Sequence, residues 1–423
     1  MAQDGKLTIE EAMRIAETNA FSVRVAKSSV ERTRQQVNEV KGNLGPQVRV
    51  NNTYTRFDKE IKQQGSVVRP FEQTETQLVL RMPVDITGIL KRGLAASSIA
   101  VKVAEANLDS EKNDLRFSVR ADYYQVLQAQ AQVKVFEEAL DSARKRLRNT
   151  ELEYEAGSKA KVDVLRFQTQ VQQAEADLIA AKNGLSLARN AFNNTLGRPI
   201  ETPFELVEEV NLPAVAQDEK ALTETAVKNR SELRAFRYNA EVLKNVRIAE
   251  ERGMLPSLDF SAIHSRNWNT GGAGSQDQTT FGQITLSIPA WDDGITRARV
   301  KQARQDEEQN KIRTEQTELA ISLEIRQATT NLANAKARWD VAKKQVEFAT
   351  ETFRLANVRY EAGEGIPLEV TDAQAELTRA RVQMVAATYD YLTTYAQLQR
   401  ALGTDVPSTE AKILTDKTRE VRA

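Results

Sequence analysis

The sequence predicts a mixed α/β fold in which one structural unit of about 200 residues occurs twice. Three observations support this prediction. Residues 19–46 align with residues 229–256 without a gap, and Leu196-Gly197 aligns with Leu402-Gly403. Large apolar residues recur every seven positions over long stretches, which is typical of coiled-coil helices. Each unit also contains two short stretches in which polar and apolar residues alternate, which is typical of strands.

Composition excludes several classes of protein. The 423 residues include 59 Lys and Arg against 59 Asp and Glu, with no long basic run, so the sequence predicts no nucleic-acid partner. No cysteine is present, which removes disulfides, thiolate zinc sites and cysteine nucleophiles. No nucleophile with an adjacent base, no phosphate-binding loop and no cluster of metal ligands is visible. We therefore expect no enzymatic activity, no cofactor and no metal site.

The seven-residue spacing predicts long helices packed with a left-handed supercoil. In the first unit the series is Val119, Val126, Val133, Leu140, Leu147 and Tyr154, and in the second it is Ile325, Leu332, Trp339, Val346, Phe353 and Tyr360. In the second unit an alanine follows each of the first five positions by three residues, so helix axes can approach closely. The pattern restarts after Gly157 and after Gly363. Each unit therefore contains an antiparallel helical hairpin that turns near its glycine.

Between the first helix and the long helix of each unit, the period changes to two. Val48, Val50 and Tyr54 alternate with polar residues, and Leu78 and Leu80 continue the pattern after a polar loop at residues 58–73. The second unit repeats the arrangement, with a Gly-rich loop at residues 269–278. Strands of about ten residues have the length of outer-membrane barrel strands.

Four strands cannot close a barrel, and a barrel in lipid has no open edge. Two copies would supply eight strands, whose interior is filled by side chains, whereas three copies would supply twelve and leave an aqueous lumen. The polar residues at alternate positions of the strands favour an aqueous lumen, and therefore three copies. The predicted fold is therefore an internally duplicated membrane protein whose homotrimer forms a 12-stranded β-barrel, continued by a long antiparallel α-helical coiled-coil tunnel.

The predicted division of the chain has two repeats, a connector and a tail. The first repeat is 1–197, with a helix at 8–42, strands at 46–57 and 74–84, a long helix at 88–156 and a return helix at 162–196. An equatorial connector follows at 198–218. The second repeat is 219–403, with a helix at 219–253, strands at 256–268 and 279–289, a long helix at 294–361 and a return helix at 367–402. A polar C-terminal tail occupies 404–423.

The two predicted hairpin turns carry the most specific motif, Tyr-Glu-Ala-Gly, at residues 154–157 and 360–363, with an acid six residues after each glycine. With the duplicated element order, this motif resembles the TolC-like outer-membrane efflux and secretion channels. The resemblance covers residues 7–403. It implies a passive exit duct of a tripartite efflux pump or type I secretion system, gated at its periplasmic helical tips.

The resemblance also implies partners and a location. The partners are a periplasmic adaptor, an inner-membrane pump reached through that adaptor, and outer-membrane lipid. The location is the outer membrane of a Gram-negative-type bacterium, with the tunnel in the periplasm. The chain starts without a basic and apolar targeting segment, so we expect either a cytosolic protein or a mature form lacking its signal peptide. The longest uncharged stretch, residues 278–291, is too short for a spanning helix.

Acidic residues at the start of the returning helices are the candidate gate. Glu369 and Asp372 lie three apart, and as N-terminal acids they would satisfy free N–H groups and complement the helix dipole. The family resemblance implies in addition that they face the axis, where threefold symmetry gathers six carboxylates at a pore constriction, and the two roles can coexist. Asp163 is expected to be an N-cap, and the resemblance implies that it accepts a hydrogen bond from Tyr360. The resemblance also implies an arginine at the position of Gly365, and this sequence departs from the family pattern there.

The turns themselves are the candidate docking site for the adaptor. Gly157 and Gly363 are predicted to adopt positive φ, and the resemblance implies that Tyr154, Ser158 and Gly365 belong to the same docking tips. The alternative is a soluble coiled-coil scaffold or a periplasmic adaptor protein. Such a protein would use the seven-residue repeats but would have no need of the alternating strands.

Overall fold

The computed structural model describes residues 6–208, 218–268 and 276–404. Within these residues the chain forms eight α-helices and eight β-strands. The helices are α1 (Ile9–Asn19), α2 (Phe21–Leu44), α3 (Ile89–Glu155), α4 (Lys161–Thr195), α5 (Glu219–Asn229), α6 (Ser231–Glu251), α7 (Ile295–Glu361) and α8 (Pro367–Leu402). The order of broken helix, strands, long helix and return helix occurs twice. The predicted C-terminal tail lies outside the described residues, except for residue 404.

The main sheet contains four antiparallel strands in the order β2, β5, β7, β8. Their bounds are β2 (Gln47–Arg56), β5 (Glu72–Val84), β7 (Ser257–Asn267) and β8 (Gln278–Ser287). Because successive side chains point to opposite faces, each row of paired residues lies on one face. One face carries most of the apolar side chains: Val48, Val50, Leu78, Leu80, Met82, Leu258, Phe260, Ala262, Ile284 and Leu286. The polar residues on that face lie towards one end of the sheet: Asn52, Thr76, His264, Arg266, Gln278 and Thr280. The other face is mostly polar.

Two pairs of short strands were not predicted. The polar loop expected at residues 58–73 contains a hairpin of β3 (Ile61–Gln63) and β4 (Ser66–Arg69), and β5 begins within it at Glu72. Positive φ at Gln64 and Gly65 forms the turn of this hairpin. In addition, β1 (Lys6–Leu7) pairs in parallel with β6 (Glu205–Leu206). These strands are too short for a visible alternation, and for that reason periodicity missed them. The predicted loop at 269–278 lies outside the described residues up to 275.

Each first helix of a repeat is broken, which corrects the prediction of continuous helices at 8–42 and 219–253. Ala20 (φ −57°, ψ 134°) separates α1 from α2, and Arg230 (φ −63°, ψ 123°) separates α5 from α6. Neither break contains proline or glycine, so the cause is packing. The turn after α4 lies against the first break, where a Cβ on Gly197 would be 2.5 Å from the Asn19 carbonyl oxygen. Gly403 lies similarly against the second break.

The chain divides into two compact units that do not coincide with the two sequence repeats, since each unit contains parts of both. The first consists of Met1–Lys27, Asn107–Ser231 and Thr317–Ala423. The second, Ser28–Ala106 and Glu232–Gln316, contains the four-stranded sheet and the helix segments that adjoin it. Among the described residues, no helix combines the length and the apolar character needed to cross a membrane.

The seven-residue series forms the core of the first unit. Val119, Val126 and Ile325 are fully buried, and the alanines that follow the second series, such as Ala335, are buried with them. A half-buried carboxyl lies in the same unit, where the Thr195 hydroxyl donates a hydrogen bond of 2.5 Å to Asp122. Burial raises the pKa of Asp122 above its ordinary value, and the hydrogen bond from Thr195 opposes that rise.

Candidate functional site

The chain reversal between α3 and α4, which we call the first turn, is held by backbone hydrogen bonds around one glycine. Gly157 has φ +76°, a conformation that glycine adopts without a steric penalty. Its N–H donates to the Tyr154 carbonyl at 2.9 Å. The Ser158 N–H and hydroxyl both donate to the Glu153 carbonyl, at 2.9 and 2.8 Å. These bonds satisfy the last carbonyls of α3 and reverse the chain direction before α4 begins.

The chain reversal between α7 and α8, the second turn, repeats this geometry. Here Gly365 also lies close to the backbone at the end of α7. Gly363 has φ +78°, and its N–H donates to the Tyr360 carbonyl at 3.1 Å. The Gly365 N–H donates to the Arg359 carbonyl at 3.0 Å. A Cβ on Gly365 would lie 3.0 Å from the Tyr360 backbone nitrogen, so an arginine there would require the turn to shift. This crowding favours glycine at position 365.

Tyr360 packs in a small apolar cluster that joins the two turns. Phe167 of α4 and Val370 of α8 are fully buried beside it, and Tyr360 itself is 4% exposed. The rings of Phe167 and Tyr360 meet edge to face, with centroids 6.1 Å apart. Within the described part of the chain the Tyr360 hydroxyl is buried without a hydrogen-bond partner. The expected hydrogen bond from Tyr360 to Asp163 is therefore absent from this arrangement.

The Tyr360 ring also contacts a lysine of the first turn, Lys159. Lys159 Nζ lies 4.0 Å from the ring centroid, and its side chain is half-buried. At this distance the ammonium group interacts favourably with the ring face. Lys161 makes a comparable contact with Tyr154, at 5.4 Å, but both of those residues belong to the first turn. The contact between Lys159 and Tyr360 therefore links the two repeats, whereas the second contact does not.

Arg146 makes a second link between the repeats. Its guanidinium carbon lies 5.9 Å from the Phe167 ring centroid and 5.8 Å from the Phe353 ring centroid, and it donates a hydrogen bond to the Asn357 side chain. Burial lowers the pKa of Arg146 from its ordinary value, while the charge of Glu361 opposes that change. An arginine of α3 is thus held between rings of α4 and α7.

The predicted gate acids lie on the first two turns of the returning helices. Glu369 and Asp372 are both exposed on α8, and the Arg359 guanidinium lies 3.5 Å from the Glu369 carboxylate. An open cavity of about 630 Å³ adjoins them; it is lined by Thr352, Leu355, Ala356, Arg359, Glu369, Asp372, Ala373 and Glu376. Both acids therefore border water-accessible space.

The helix caps differ from the prediction. Ala160 is the N-cap of α4, so Asp163 is the third residue of the helix and not its cap. Ile366 is the N-cap of α8, and neither cap residue makes a side-chain hydrogen bond. Asp163 and Glu369 still lie in the first turn, where negative charge complements the helix dipole. Burial of Val164 and Val370, each one residue later, sets this register and keeps both acids off the buried stripe.

Sequence reasoning identified the turns but missed the residues that link them. Lys159 was visible only as an extra charge in the first turn, and Arg146 lies one position before the core residue Leu147. Phe167 had a usable signal: the seven-residue pattern restarts after Gly157 at Val164, and Phe167 lies three residues later, on the same face of the helix. The ion pair of Arg359 with Glu369 had no signal in the sequence, because it forms across a turn whose geometry the sequence does not specify.

Each of the two repeats combines strands of the length found in membrane barrels with a long helical hairpin. Comparison with known proteins identifies the class of protein. Residues 12–198 and 222–404 match the outer membrane efflux protein family. Nodulation protein T of Rhizobium leguminosarum bv. trifolii is 26% identical over 334 residues, which is 75% of this chain and 68% of that protein. Outer membrane protein TolC of Escherichia coli is 22% identical over 383 residues, which is 88% of this chain and 77% of TolC.

A solved structure shows the same fold. The CmeC outer membrane channel of Campylobacter jejuni superposes with a TM-score of 0.79 at 15% identity, over 97% of this chain and 88% of that one. The chain belongs to the outer membrane efflux protein family, because the match covers most of its length in two repeats. It is an outer membrane channel protein of the kind that serves efflux pumps or type I secretion systems.

Proposed function

We propose that three copies of this chain form one passive exit duct across the outer membrane, gated at the helical turns. The observation that carries the proposal is the sheet. One face is mostly apolar and the other is mostly polar. Among the described strands, β2 and β8 each have only one neighbour. Such a sheet is stable in lipid only when further copies complete it.

The polar face favours three copies. Polar side chains at alternate positions of all four strands line this face: Gln47, Asn51, Thr53, Gln77, Arg81, Ser261, Ser265, Thr279, Gln283 and Thr285. Eight strands would enclose these groups in an interior filled by side chains, whereas twelve leave room for water. The apolar face would then contact lipid.

Exposure of the apolar face supports contact with lipid. Val50 is 66% exposed and Ile284 is 73% exposed, which is unusual for residues in the middle of a strand. Trp268 follows the end of β7, and Trp291 lies beyond the opposite end of the sheet, after β8. Both tryptophans are exposed, as expected for aromatic anchors at the two membrane interfaces.

The helices also present apolar surface that the single chain leaves uncovered. Leu187 on α4, and Leu319 and Phe348 on α7, are each more than 60% exposed. Three copies arranged around one axis would cover such positions between neighbours and form a tunnel of helices. Its walls require only packing and a polar lumen, so the duct needs no catalytic activity and no cofactor.

The gate in this proposal is the pair of helical turns. Glu369 and Asp372 from three copies would gather six carboxylates near the axis, while Tyr360 and Asp163 would lie at the same constriction. The contacts of Lys159 with Tyr360 and of Arg146 with Asn357 support the proposal, because they join the two turns within each chain. Separation of the turns would break these contacts and widen the opening.

The same turns are the proposed docking site for a periplasmic adaptor. Gly157 and Gly363 have no atoms within 4 Å of the position of a Cβ, so these glycines leave open surface at the turns. Tyr154, Ser158 and Gly365 border that surface. An inner-membrane pump, reached through the adaptor, would supply energy and select the cargo. The proposed location is the outer membrane of a Gram-negative bacterium, with the helices in the periplasm.

Reconstitution of the purified protein into planar lipid bilayers tests this proposal. We expect discrete channel openings with cation selectivity, since acids surround the proposed constriction. Gly157→Pro and Gly363→Pro should abolish export in cells without preventing membrane insertion, because proline cannot adopt the positive φ of these turns. Absence of any conductance from correctly inserted protein would refute the duct, and normal export by the proline variants would refute docking at the turns.

A further inference from the structure

The polar face of the four-stranded sheet contains one group of neighbouring apolar side chains. Val79 of β5 pairs with Ile263 of β7, and Ile263 pairs with Phe281 of β8. On the other side, Val79 pairs with Arg49 of β2. Residues directly opposite each other in antiparallel strands have Cβ atoms about 4.5–5.5 Å apart, so the three apolar side chains are contiguous. We call Val79, Ile263 and Phe281 the apolar row; Arg49 lies at its end.

The apolar row is bounded by polar side chains on the same face. The two neighbouring rows consist of Asn51, Gln77, Ser265 and Thr279 on one side, and of Gln47, Arg81, Ser261 and Gln283 on the other. The change from polar to apolar therefore occurs on three adjacent strands at one level and reverses at the next level. This arrangement is a band across the sheet and not a scatter of single apolar residues.

The band is open to solvent in the single chain. Phe281 is 45% exposed, and Val79 and Ile263 are half-buried by their neighbours in the sheet. Single exposed apolar residues are ordinary on a protein surface, whereas a contiguous apolar patch with a polar rim is typical of a surface that binds apolar groups.

Arg49 adds a positive charge to the end of the band. Its side chain is exposed and makes no ion pair among the described residues, whereas Arg81 in the neighbouring row is paired with Asp259 at 3.0 Å. Val48 and Val50 flank Arg49 along β2 and lie on the opposite face. An unpaired arginine is costly in lipid, so the face that carries Arg49 and the apolar row is the one suited to a water-filled lumen.

We propose that the apolar row and Arg49 together bind amphiphilic anions that pass through the duct. The apolar body of the solute would contact Val79, Ile263 and Phe281, and its acidic group would pair with the Arg49 guanidinium. The assignment rests on the proposed duct and adds a class of cargo to it. Three copies would place three such sites at one level of the lumen.

The dimensions of the site suit a solute with one or two rings. Arg49 and Phe281 are three strand spacings of about 4.8 Å apart, while Val79 is one spacing from Arg49. A two-ring body can therefore lie on the apolar row while an attached acidic group reaches the guanidinium. Because the row lies on an open face, the solute can also leave, as passage through a channel requires.

Block of single-channel conductance by naphthalenesulfonate tests the assignment in planar bilayers. The probe is added on the side opposite the helical turns, so it does not have to pass the acids near Glu369. Methanesulfonate supplies the same anionic group without an apolar body, and naphthalenemethanol supplies the rings without a charge. We expect the half-blocking concentration of naphthalenesulfonate to be about tenfold lower than that of either comparison compound.

Two variants locate the binding. Phe281→Thr removes the exposed ring and keeps a side chain suited to a strand, and Arg49→Gln removes the charge. Each should raise the half-blocking concentration of naphthalenesulfonate about tenfold, while Arg49→Gln should leave block by naphthalenemethanol unchanged. The matched control, Ile284→Thr, removes an apolar side chain of the same strand from the opposite face and should not alter the block.

Native mass and unblocked conductance are measured for every variant, and Val79→Thr supplies a second test of the apolar contact if Phe281→Thr does not assemble. Equal half-blocking concentrations of naphthalenesulfonate and methanesulfonate, or unaltered block in Phe281→Thr and Val79→Thr, would overturn the site while leaving the duct intact. Unaltered block in Arg49→Gln would overturn the preference for anions. Correctly inserted protein without any conductance would overturn both the site and the duct.

Discussion

Loss of the Lys159 ammonium group should open the channel. The contact of Lys159 with the Tyr360 ring is one of those that join the two turns within a chain, at 4.0 Å. Lys159→Met keeps most of the side-chain volume and removes the charge. Contacts of this kind contribute about 0.5–2 kcal/mol, and the half-buried position of Lys159 favours a value of about 1 kcal/mol.

Threefold symmetry multiplies this effect. If the three pairs of turns separate together, the variant loses about 3 kcal/mol of stabilisation of the joined state, because one contact is lost in each copy. That difference corresponds to about a hundredfold increase in the ratio of open to closed channels. Open probability in planar bilayers measures this ratio. Lys159→Arg should restore values near those of the original chain, since guanidinium also stacks on aromatic rings.

Two variants make the test specific. Lys161→Met removes a lysine contact with Tyr154 that stays within the first turn, so it should leave open probability unchanged. Tyr360→Phe keeps the ring and removes a buried hydroxyl that lacks a partner among the described residues, so it should favour the closed form or leave it unchanged. The reasoning is refuted if Lys159→Met opens the channel no more than Lys161→Met, or if Tyr360→Phe opens it strongly.

Three further predictions concern stability and ion passage. Gly197→Ala should lower the thermal unfolding midpoint in detergent more than Gly403→Ala does: both positions have positive φ, which costs about 1–2 kcal/mol, but only the first Cβ would overlap a carbonyl oxygen, at 2.5 Å. Equal effects would contradict this. The raised pKa of Asp122 means that the folded state binds its proton more tightly than the unfolded state, so this group's contribution to stability falls as pH rises through the range between the unfolded and folded pKa values. Asp122→Asn should therefore raise the unfolding midpoint at neutral pH, with little gain at acidic pH; a gain that is independent of pH would contradict the assignment. Finally, Glu369→Gln with Asp372→Asn should weaken block by multivalent cations added from the turn side in planar bilayers, with an unchanged native mass; unaltered block would place the constriction elsewhere.

Long-range periodicity carried most of the fold prediction. The seven-residue series from Val119 to Tyr154 identifies the helix α3 because a buried stripe must recur with the helical period over its whole length. Alternation identifies β2 and β5 for the same reason, with a period of two. Both signals come from burial on one face, and both extend over enough residues to be read without knowledge of the rest of the chain.

The helix breaks at Ala20 and Arg230 gave no such signal. Neither residue is a helix breaker, and the backbone turns there because another turn of the chain packs against it. A contact between residues so distant in sequence leaves no local pattern. The paired strands β1 and β6 were missed for a related reason, since two residues are too few to show a period.

At the candidate site the sequence predicted positions better than partners. The Tyr-Glu-Ala-Gly motif located both turns, and Tyr360 was expected near the gate. Its partner was expected to be Asp163, whereas Lys159 occupies the ring face. Whether Asp163 accepts a hydrogen bond from the Tyr360 hydroxyl or Lys159 lies over the Tyr360 ring depends on differences of a few ångströms in the distances between the two turns. Residue type and spacing do not specify such separations.

The native mass of the purified protein in detergent tests the central claim most directly. The proposal holds that the two open edges of the described four-stranded sheet are completed by other copies, and that the polar face favours twelve strands over eight. Native mass spectrometry after gentle removal of detergent should therefore give a particle of three chains. A stable particle of one or two chains that conducts ions in bilayers would contradict the account.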